Sequence, residues 1–351
     1  MRIDTLDFKM AELPRKERFS IATGSSDTVR CAIVRLSLEG IMGLGASSAN
    51  SVTAETRESI SSSLFVLKAK LAGRNFSSAQ ILMDFLEREA PAAPAVRAGI
   101  DIAFHDALAK GIGQSVGEML GGSDEPLLTD MTIGLMGSEE AAAKATALAK
   151  DFRALKLKVG AEIGRDIETV RAVREAVGPS VRLWCDANQG YDFARAMRFA
   201  EAAAENEVEF VEQPVLADDV DSLAKLAKES PVPIMADESV KSMRDYEALL
   251  DKGVSLFNIK LMKCGGIRPA CKIADILAER GARALIGCMG ESGVSLAGAL
   301  HFASANSHLV KWADLDSQFM LVKDVCHPLD FRDGMLWPKG PGTGSSMREA
   351  F

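Results

Sequence analysis

Residues 181–239 read VRLWCDANQGYDFARAMRFAEAAAENEVEFVEQPVLADDVDSLAKLAKESPVPIMADES, and this stretch decides the fold. Three short runs of β-branched and apolar residues, VRLWCDAN (181–188), VEFVEQP (208–214) and VPIMADES (232–239), alternate with FARAMRFAEAAAEN (193–206) and SLAKLAKES (222–230). The runs have the length and composition of buried strands, whereas the spacers repeat their apolar residues at helical period. Strand, turn, helix and strand again, at a spacing of roughly 25 residues, is the parallel β/α unit.

The rhythm extends in both directions. LTDMTIGL (128–135) and LKLKVG (155–160) precede it, and SLFNIKL (255–261), ARALIGCM (282–289) and LVKWADLD (309–316) follow. RDIETVRAVREAVG (165–178) and RDYEALLDKG (244–253) supply further helical pattern. Eight strands alternating with helices fit a closed parallel barrel, a unit that buries its strands only when the whole ring is present. A six-stranded doubly wound sheet is the competing fold, and the absence of a G-x-G-x-x-G after the first strand counts against it.

The first 125 residues differ in kind. Strand signals at 2–9 and 29–38, a Gly/Ser-rich stretch, and helical patterns around 54–72, 77–89 and 94–111 predict an α+β capping domain over 1–125. An α/β (β/α)7β TIM-like barrel is expected over 126–322. The tail, 323–351, contains WPKGPGTGSS (337–346) and no further barrel helix, so it is expected to return and pack on the capping domain, completing it.

Composition narrows the setting. The 351 residues are 47% hydrophobic and 26% charged, and 41 basic against 49 acidic side chains leave a formal net charge of −8 with no basic run. Nucleic acid and anionic membranes are therefore not expected partners. The opening MRIDTLDFKMAELPRKERF has no apolar core segment, and no stretch of about 18 uncharged apolar residues occurs, so a cytoplasmic protein is expected. Six cysteines without a C-x-x-C read as buried reduced thiols, and four histidines without ligand spacing make histidine chemistry unexpected.

Most of the barrel strands end on a charge: Lys156 and Lys158, Asp186, Glu212, Asp237, Lys260, then Asp314 and Asp316. Barrel strands are buried, so such charges lie at the open mouth or are paired. Asp186 and Glu212 are 26 residues apart, and Glu212 and Asp237 are 25 apart, which puts them at matching heights on adjacent strands three, four and five. Three converging carboxylates repel unless a cation holds them, and all-oxygen donors suit a hard divalent ion such as Mg²⁺, which keeps positions open for water and substrate. Lys156 and Lys158 alternate across Leu157 and share a face of strand two, so each disfavours protonation of the other, as a lysine base requires. Lys260 ends strand six, diametrically opposite strand two in a ring of eight. Two bases facing each other beside a divalent metal suit moving a proton from one face of a carbon to the other, that carbon being α to a metal-bound carboxylate. Lys263 reads as an ordinary solvated loop residue. On strand eight, Asp314 and Asp316 alternate across Leu315 and point the same way.

Taken in order, KLK (156–158), DAN (186–188), EQP (212–214), ADES (236–239), NIKLMKCGGI (258–267) and the preceding α+β unit resemble the enolase superfamily, in its muconate-lactonizing-enzyme subgroup, over nearly the whole chain. The absence of a histidine base near strands six and seven argues against the mandelate-racemase branch. The resemblance implies that Asp186, Glu212 and Asp237 bind Mg²⁺, that Lys158 and Lys260 are the acid/base pair, and that Lys156 supports Lys158. The D-x-D of Asp314 and Asp316, with CMGES (288–292), resembles the dipeptide epimerases of the subgroup. That implies a dipeptide substrate whose free α-ammonium meets Asp314 and Asp316, with Met289, Glu291, Ser292 and Thr132 as further contacts and a capping loop around Gly24 closing over the mouth. The implied reaction is 1,1-proton transfer at the α-carbon of the C-terminal residue, in a homo-oligomer. Relatives acting on L-Ala-D/L-Glu often carry an arginine in this loop. RFSIATGSSDTVRC (18–31) offers Gly24, Ser25 and Ser26 instead, so the preferred side chains stay open. An o-succinylbenzoate synthase, a cycloisomerase or an N-acylamino acid racemase would share metal and lysines. A Schiff-base lyase would leave the carboxylate triad unexplained, and an idle barrel would not need both lysines.

Overall fold

The computed structural model describes residues 1–349. The capping domain opens with three antiparallel strands in sequential order, β1 (Ile3–Ile21), β2 (Gly24–Leu38) and β3 (Ile41–Ser48). β1 and β2 run well past the expected strands, because residues beyond about Leu13 continue as a two-stranded hairpin that leaves the core and loses the apolar alternation by which a strand is recognised. The Gly/Ser-rich stretch proves to be β3. Its glycines are there because a helix lies directly on them: a Cβ at Gly43 would meet Ala103 O at 1.9 Å, and one at Gly45 would meet Gly99 O at 2.0 Å.

That helix is α3 (Pro94–Gly111), preceded by α1 (Arg57–Leu71) and α2 (Ala79–Glu89) and followed by the single turn α4 (Val116–Met119). α3 is apolar nearly all round because it serves two cores. Val96, Ile100 and Phe104 pack into the capping core, while Ala95, Ala98 and Ile102 join the core between the barrel strands and their outer helices.

The barrel follows β4 (Leu127–Leu128). β5 (Met131–Ile133), β6 (Ala154–Lys158), β7 (Arg182–Asp186), β8 (Val208–Glu212) and β9 (Ile234–Met235) form one parallel sheet, and β10 (Leu256–Ile259), β11 (Arg283–Gly287) and β12 (Val310–Asp314) a second. Asn258 N donates to Ala236 O at 2.8 Å and Asp130 N to Ala313 O at 3.1 Å, which joins the two sheets into a ring of eight. Outer helices α5 (Ser138–Leu148), α6 (Ile163–Val177), α7 (Phe193–Glu205), α8 (Val220–Glu229), α9 (Met243–Asp251), α11 (Ile267–Glu279) and α12 (Gly293–Ala305) follow the first seven strands, with the one-turn α10 (Leu261–Cys264) just after β10. β12 is followed only by the short α13 (Ser317–Met320), giving (β/α)7β.

Inside the ring, Ala154, Trp184, Phe210, Met235, Leu256, Leu285 and Trp312 form an apolar floor, with the Trp184 and Phe210 rings stacked at 5.4 Å. Two residues further along each strand the side chain points the same way. Those positions are Lys156, Asp186, Glu212, Asp237, Asn258, Gly287 and Asp314, so a charged layer sits immediately on the floor.

The tail divides its contacts. β13 (Asp330–Arg332) pairs with β14 (Met335–Trp337), which pairs with β4, and Thr129 N donates to Gly334 O at 3.1 Å, so this part closes the amino-terminal end of the barrel rather than covering the cap. Further on, Thr343 N donates to Asp106 Oδ1 at 2.7 Å, which ties the tail to α3. All six cysteines are free.

Because α3 rests on the β3 backbone, Gly45→Ala is expected to lower stability by about 2 kcal/mol or more, the cost of forcing a methyl group into filled space. Urea unfolding followed by circular dichroism reads this as a lower midpoint. An unchanged midpoint would show that α3 shifts off the sheet freely.

Candidate active site

The carboxyl-terminal end of the ring opens toward the β1–β2 hairpin. Leu135 N, just past β5, donates to Ser20 O at 3.1 Å, Phe19 lies against Gly134, and Glu17 pairs with Lys144 of α5. The hairpin is thus docked beside the mouth.

Below it, Lys156 is fully buried, its Nζ 2.7 Å from Glu212 Oε2, 2.8 Å from Asp314 Oδ2 and 2.9 Å from Asp186 Oδ2. Lys158 donates to the same Asp186 Oδ2 at 2.6 Å. On the opposite wall, Lys260 donates to Asp237 Oδ2 at 2.8 Å. Asn258 Nδ2 donates to Glu212 Oε1 at 2.7 Å. β6 and β10 are the second and sixth strands of the ring, so Lys158 and Lys260 start from opposing strands. Lys158 stands opposite Asp186 across β6–β7, and Asp186 opposite Glu212 across β7–β8. In the ladder Glu212 pairs with Met235, so Asp237 lies two residues past the end-on partner of Glu212, while both stay in the layer above the floor.

The expected substrate contacts divide. Asp314 and Asp316 lie together as expected, both buried, although one Asp314 oxygen is already held by Lys156. Asp316 Oδ2 accepts from the backbone N–H of Thr132 at 2.8 Å, which draws Thr132 to the same place. Met289 is half-buried near the mouth. Its N–H, however, donates to Glu291 Oε1 at 2.8 Å, so the Glu291 carboxylate is folded back on its own loop. Ser292 caps α12 and donates to Asp324 Oδ1 at 2.8 Å, a tie to the tail rather than a free contact. Gly24 is not part of the constellation; it sits exposed at the hairpin turn with nothing within 4 Å of its Cβ position.

Two family sequence profiles match the chain. "Mandelate racemase / muconate lactonizing enzyme, N-terminal domain" covers residues 6–121, and "Enolase C-terminal domain-like" covers 139–351. The chain belongs to the mandelate racemase/muconate lactonizing enzyme family of the enolase superfamily. It is 35% identical over 326 residues to a hydrophobic dipeptide epimerase of Enterococcus faecalis, with 92% of each chain covered. To an L-Lys-D/L-Arg epimerase of Methylococcus capsulatus it is 37% identical over 331 residues, with 93% of each covered. A crystal structure of the dipeptide epimerase from Enterococcus faecalis, complexed with Mg and the dipeptide L-Leu-L-Tyr, superposes with a TM-score of 0.94 at 33% identity, covering 99% of this chain and 100% of that one.

The enolase-superfamily barrel holds more charge than sequence reasoning found. Lys263, expected in solvent, is buried; its ammonium reaches the second Asp237 carboxylate oxygen, Asp237 O at 2.7 Å and Asn258 O at 3.0 Å. The signal was legible: Lys263 stands one helical turn after Lys260 and so faces the same way. Glu238 is buried too and accepts from Asn188 Nδ2 at 3.0 Å. Alternation would send it away from Asp237, but β9 ends at Met235 and the rule stops there.

Protonation follows from this crowding. Burial alone would pull Lys156 down, but Asp186, Asp314 and Glu212 hold its pKa well above the ordinary lysine value. The neighbouring lysine therefore does not free Lys156 of its proton, contrary to the expectation from the shared strand face. Despite desolvation, Lys156 and Lys158 keep the Asp186 carboxyl far below its usual range, and Lys260 and Lys263 do so for Asp237. Burial and Asp186 push Glu212 up to about 8, while burial and Asp237 push Glu238 up to about 7.

The residues fit a hard divalent cation. Glu238 Oε2 and Asn188 Oδ1 are buried oxygens without a hydrogen-bond partner beside Asp186 and Asp237, and the donors there are all oxygen. Among the described residues the tightest trio of ligand atoms lies elsewhere, with Cys288, Asp314 and Asp316 within 4.8 Å. Burial, Asp314 and Asp316 hold the Cys288 thiol protonated, which makes that trio a poor partner for Mg²⁺. Asp186 and Glu212 share the Lys156 ammonium, whereas Asp237 is held by Lys260 and Lys263.

Since Glu212 and Glu238 hold protons up to about 8 and about 7, and only the ionised forms ligate, Mg²⁺ affinity is expected to weaken as pH falls from about 9 to about 6. Calorimetric titration in buffers of different ionisation enthalpy reads both the affinity and the released protons. A flat profile without proton release would remove these carboxylates from the metal site.

Proposed function

We propose that the chain is an Mg²⁺-dependent dipeptide epimerase that moves the α-proton of the C-terminal residue, interconverting L,L and L,D forms. The observation that carries this reading is the charge balance at the mouth. Asp130, Asp186, Glu212, Asp237, Glu238, Glu291, Asp314 and Asp316 are buried there against the ammonium groups of Lys156, Lys158, Lys260 and Lys263. Such an excess of buried carboxylates suits a divalent cation and a cationic substrate group together.

The roles divide by position. Asp186, Glu212 and Asp237 would hold Mg²⁺, which supplies positive charge for the substrate carboxylate oxygens as negative charge develops on them. Lys158 and Lys260 start from opposing strands; the neutral amine of one takes the α-proton, and the ammonium of the other returns a proton to the opposite face. Asp237 holds Lys260 protonated against the effect of burial, so engaging that carboxylate with another cation favours the free amine of Lys260. Lys156, locked among three carboxylates, positions them and stays charged. Asp316 has no ammonium partner among the described residues, and burial with Asp314 nearby pushes it up to about 6, a place where a substrate α-ammonium restores the charge. β-Elimination substrates and N-acylamino acids bring no ammonium there, which disfavours those alternatives.

No helix among the described residues is long and apolar enough to cross a membrane, and six free thiols suit a reducing cytoplasm. Phe65 and Val66, exposed side by side on α1, suit self-association into a homo-oligomer.

Proton NMR in D₂O with Mg²⁺ and mixed L,L dipeptides is expected to show selective loss of the C-terminal α-proton signal, abolished by EDTA. Lys158→Ala and Lys260→Ala should each lower epimerisation by about 10²–10⁴-fold while each still exchanges the α-proton of one epimer. Asp316→Asn should raise KM for the dipeptide and leave Mg²⁺ affinity unchanged. Exchange in neither epimer by either lysine variant, or unaltered kinetics in the aspartate variant, would refute these assignments.

A further inference from the structure

The capping strand sends into this site one cation that forms no ion pair among the described residues. β1 and β2 fall out of register between Pro14, opposite Thr28, and Phe19, opposite Ser26, so β1 carries extra residues there. Such a bulge re-aims side chains. Arg15 lies in it, and its guanidinium is wedged between three parts of the mouth. Nη1 is 3.4 Å from Met320 Sδ, just beyond Asp316. Nη2 is 2.6 Å from where a Cβ on Gly290 would stand, so a side chain at that position would push the guanidinium aside. The Phe19 ring lies 5.2 Å from the guanidinium carbon.

Among the described residues Arg15 makes no ion pair, and its buried Nε has no hydrogen-bond partner. The carboxylate that it senses is that of Asp316, against a larger effect of burial. A half-buried guanidinium without a carboxylate is costly unless an anion or acceptor arrives.

We propose that Arg15 selects the N-terminal residue of the substrate, favouring dipeptides whose first side chain is a carboxylate over neutral ones, and neutral ones over ammonium or guanidinium side chains. The inference rests on the dipeptide-epimerase reading. With the α-ammonium at Asp316 and the reacting α-carbon between Lys158 and Lys260, the residue beside Arg15 is the first one. Both Arg15 and the acids around Asp316 then have defined partners: the acids take the α-ammonium and Arg15 the side chain next to it.

The test uses the full chain with Mg²⁺ and three L,L dipeptides that share their C-terminal residue and begin with Glu, Ala or Lys. α-Proton exchange in D₂O gives kcat/KM for each. The expected order is Glu, Ala, Lys, with about tenfold or more between the extremes, the scale of one partly desolvated ion pair. Arg15→Met, with Arg15→Gln as a second variant should the first fold poorly, is expected to collapse the Glu/Lys ratio by a similar factor. A flat or reversed order in the parent protein overturns the inference while leaving the reaction standing. So does an equal loss for all three substrates in both variants, which is what a purely structural role in docking the hairpin would give. Absence of exchange with any dipeptide refutes the reaction itself, and the assignment with it.

Discussion

One ammonium group, that of Lys156, holds together four walls of the barrel. From β6 it reaches Asp186 on β7, Glu212 on β8 and Asp314 on β12, and none of these groups has appreciable access to water. The floor under them is aromatic and aliphatic, so each carboxylate left alone there would carry a desolvation penalty of several kcal/mol. The lysine makes the charged layer tolerable, and it fixes where the remaining oxygens point. Glu212 is then held on its other side by Asn258, and Asp186 by the Asn188 backbone and Lys158.

A polar layer on an apolar floor explains why the chemistry is confined to one end of the ring. Trp184, Phe210 and Trp312 fill the lower interior, with their rings in mutual contact. Above them, the excess of carboxylates over lysines makes the mouth a trap for positive charge. The same excess keeps Lys156 and Lys260 protonated until their carboxylates acquire other partners, which couples occupancy of the site to its acid/base state.

The cap is bound to this layer through shared packing, and that gives it influence over the site. α3 contributes one face to the cap core and the other to the barrel core, and it can do so only because Gly43 and Gly45 let it touch the β3 backbone. The tail adds a second strap through Asp106 and a third through Asp324, which receives Ser292 from the loop after β11. Hairpin, loop and tail therefore converge beside Asp316, where Arg15 enters.

Much of this was legible in the chain itself. A strand period of two and a helix period of 3.6 are local consequences of backbone geometry, so the eight strands, four of the outer helices and the shared faces of Lys156 with Lys158, and Asp314 with Asp316, could be read directly. Charges at the ends of buried strands announced a site because burial penalises unpaired charge wherever it occurs. Tertiary structure decided what depends on distance across the ring. Lys263 looked solvated until α10 folded it against Asp237, and β3 read only as a Gly/Ser-rich stretch until α3 was laid upon its glycines. Ser292 and Glu291 looked free until cap geometry and their own loop engaged them. Nothing in the sequence set Arg15 apart; a bulge beyond the expected strand turned it toward Asp316. Periodicity is encoded by neighbours a few residues apart, whereas a side chain's partner is set by which distant backbone closes the space around it.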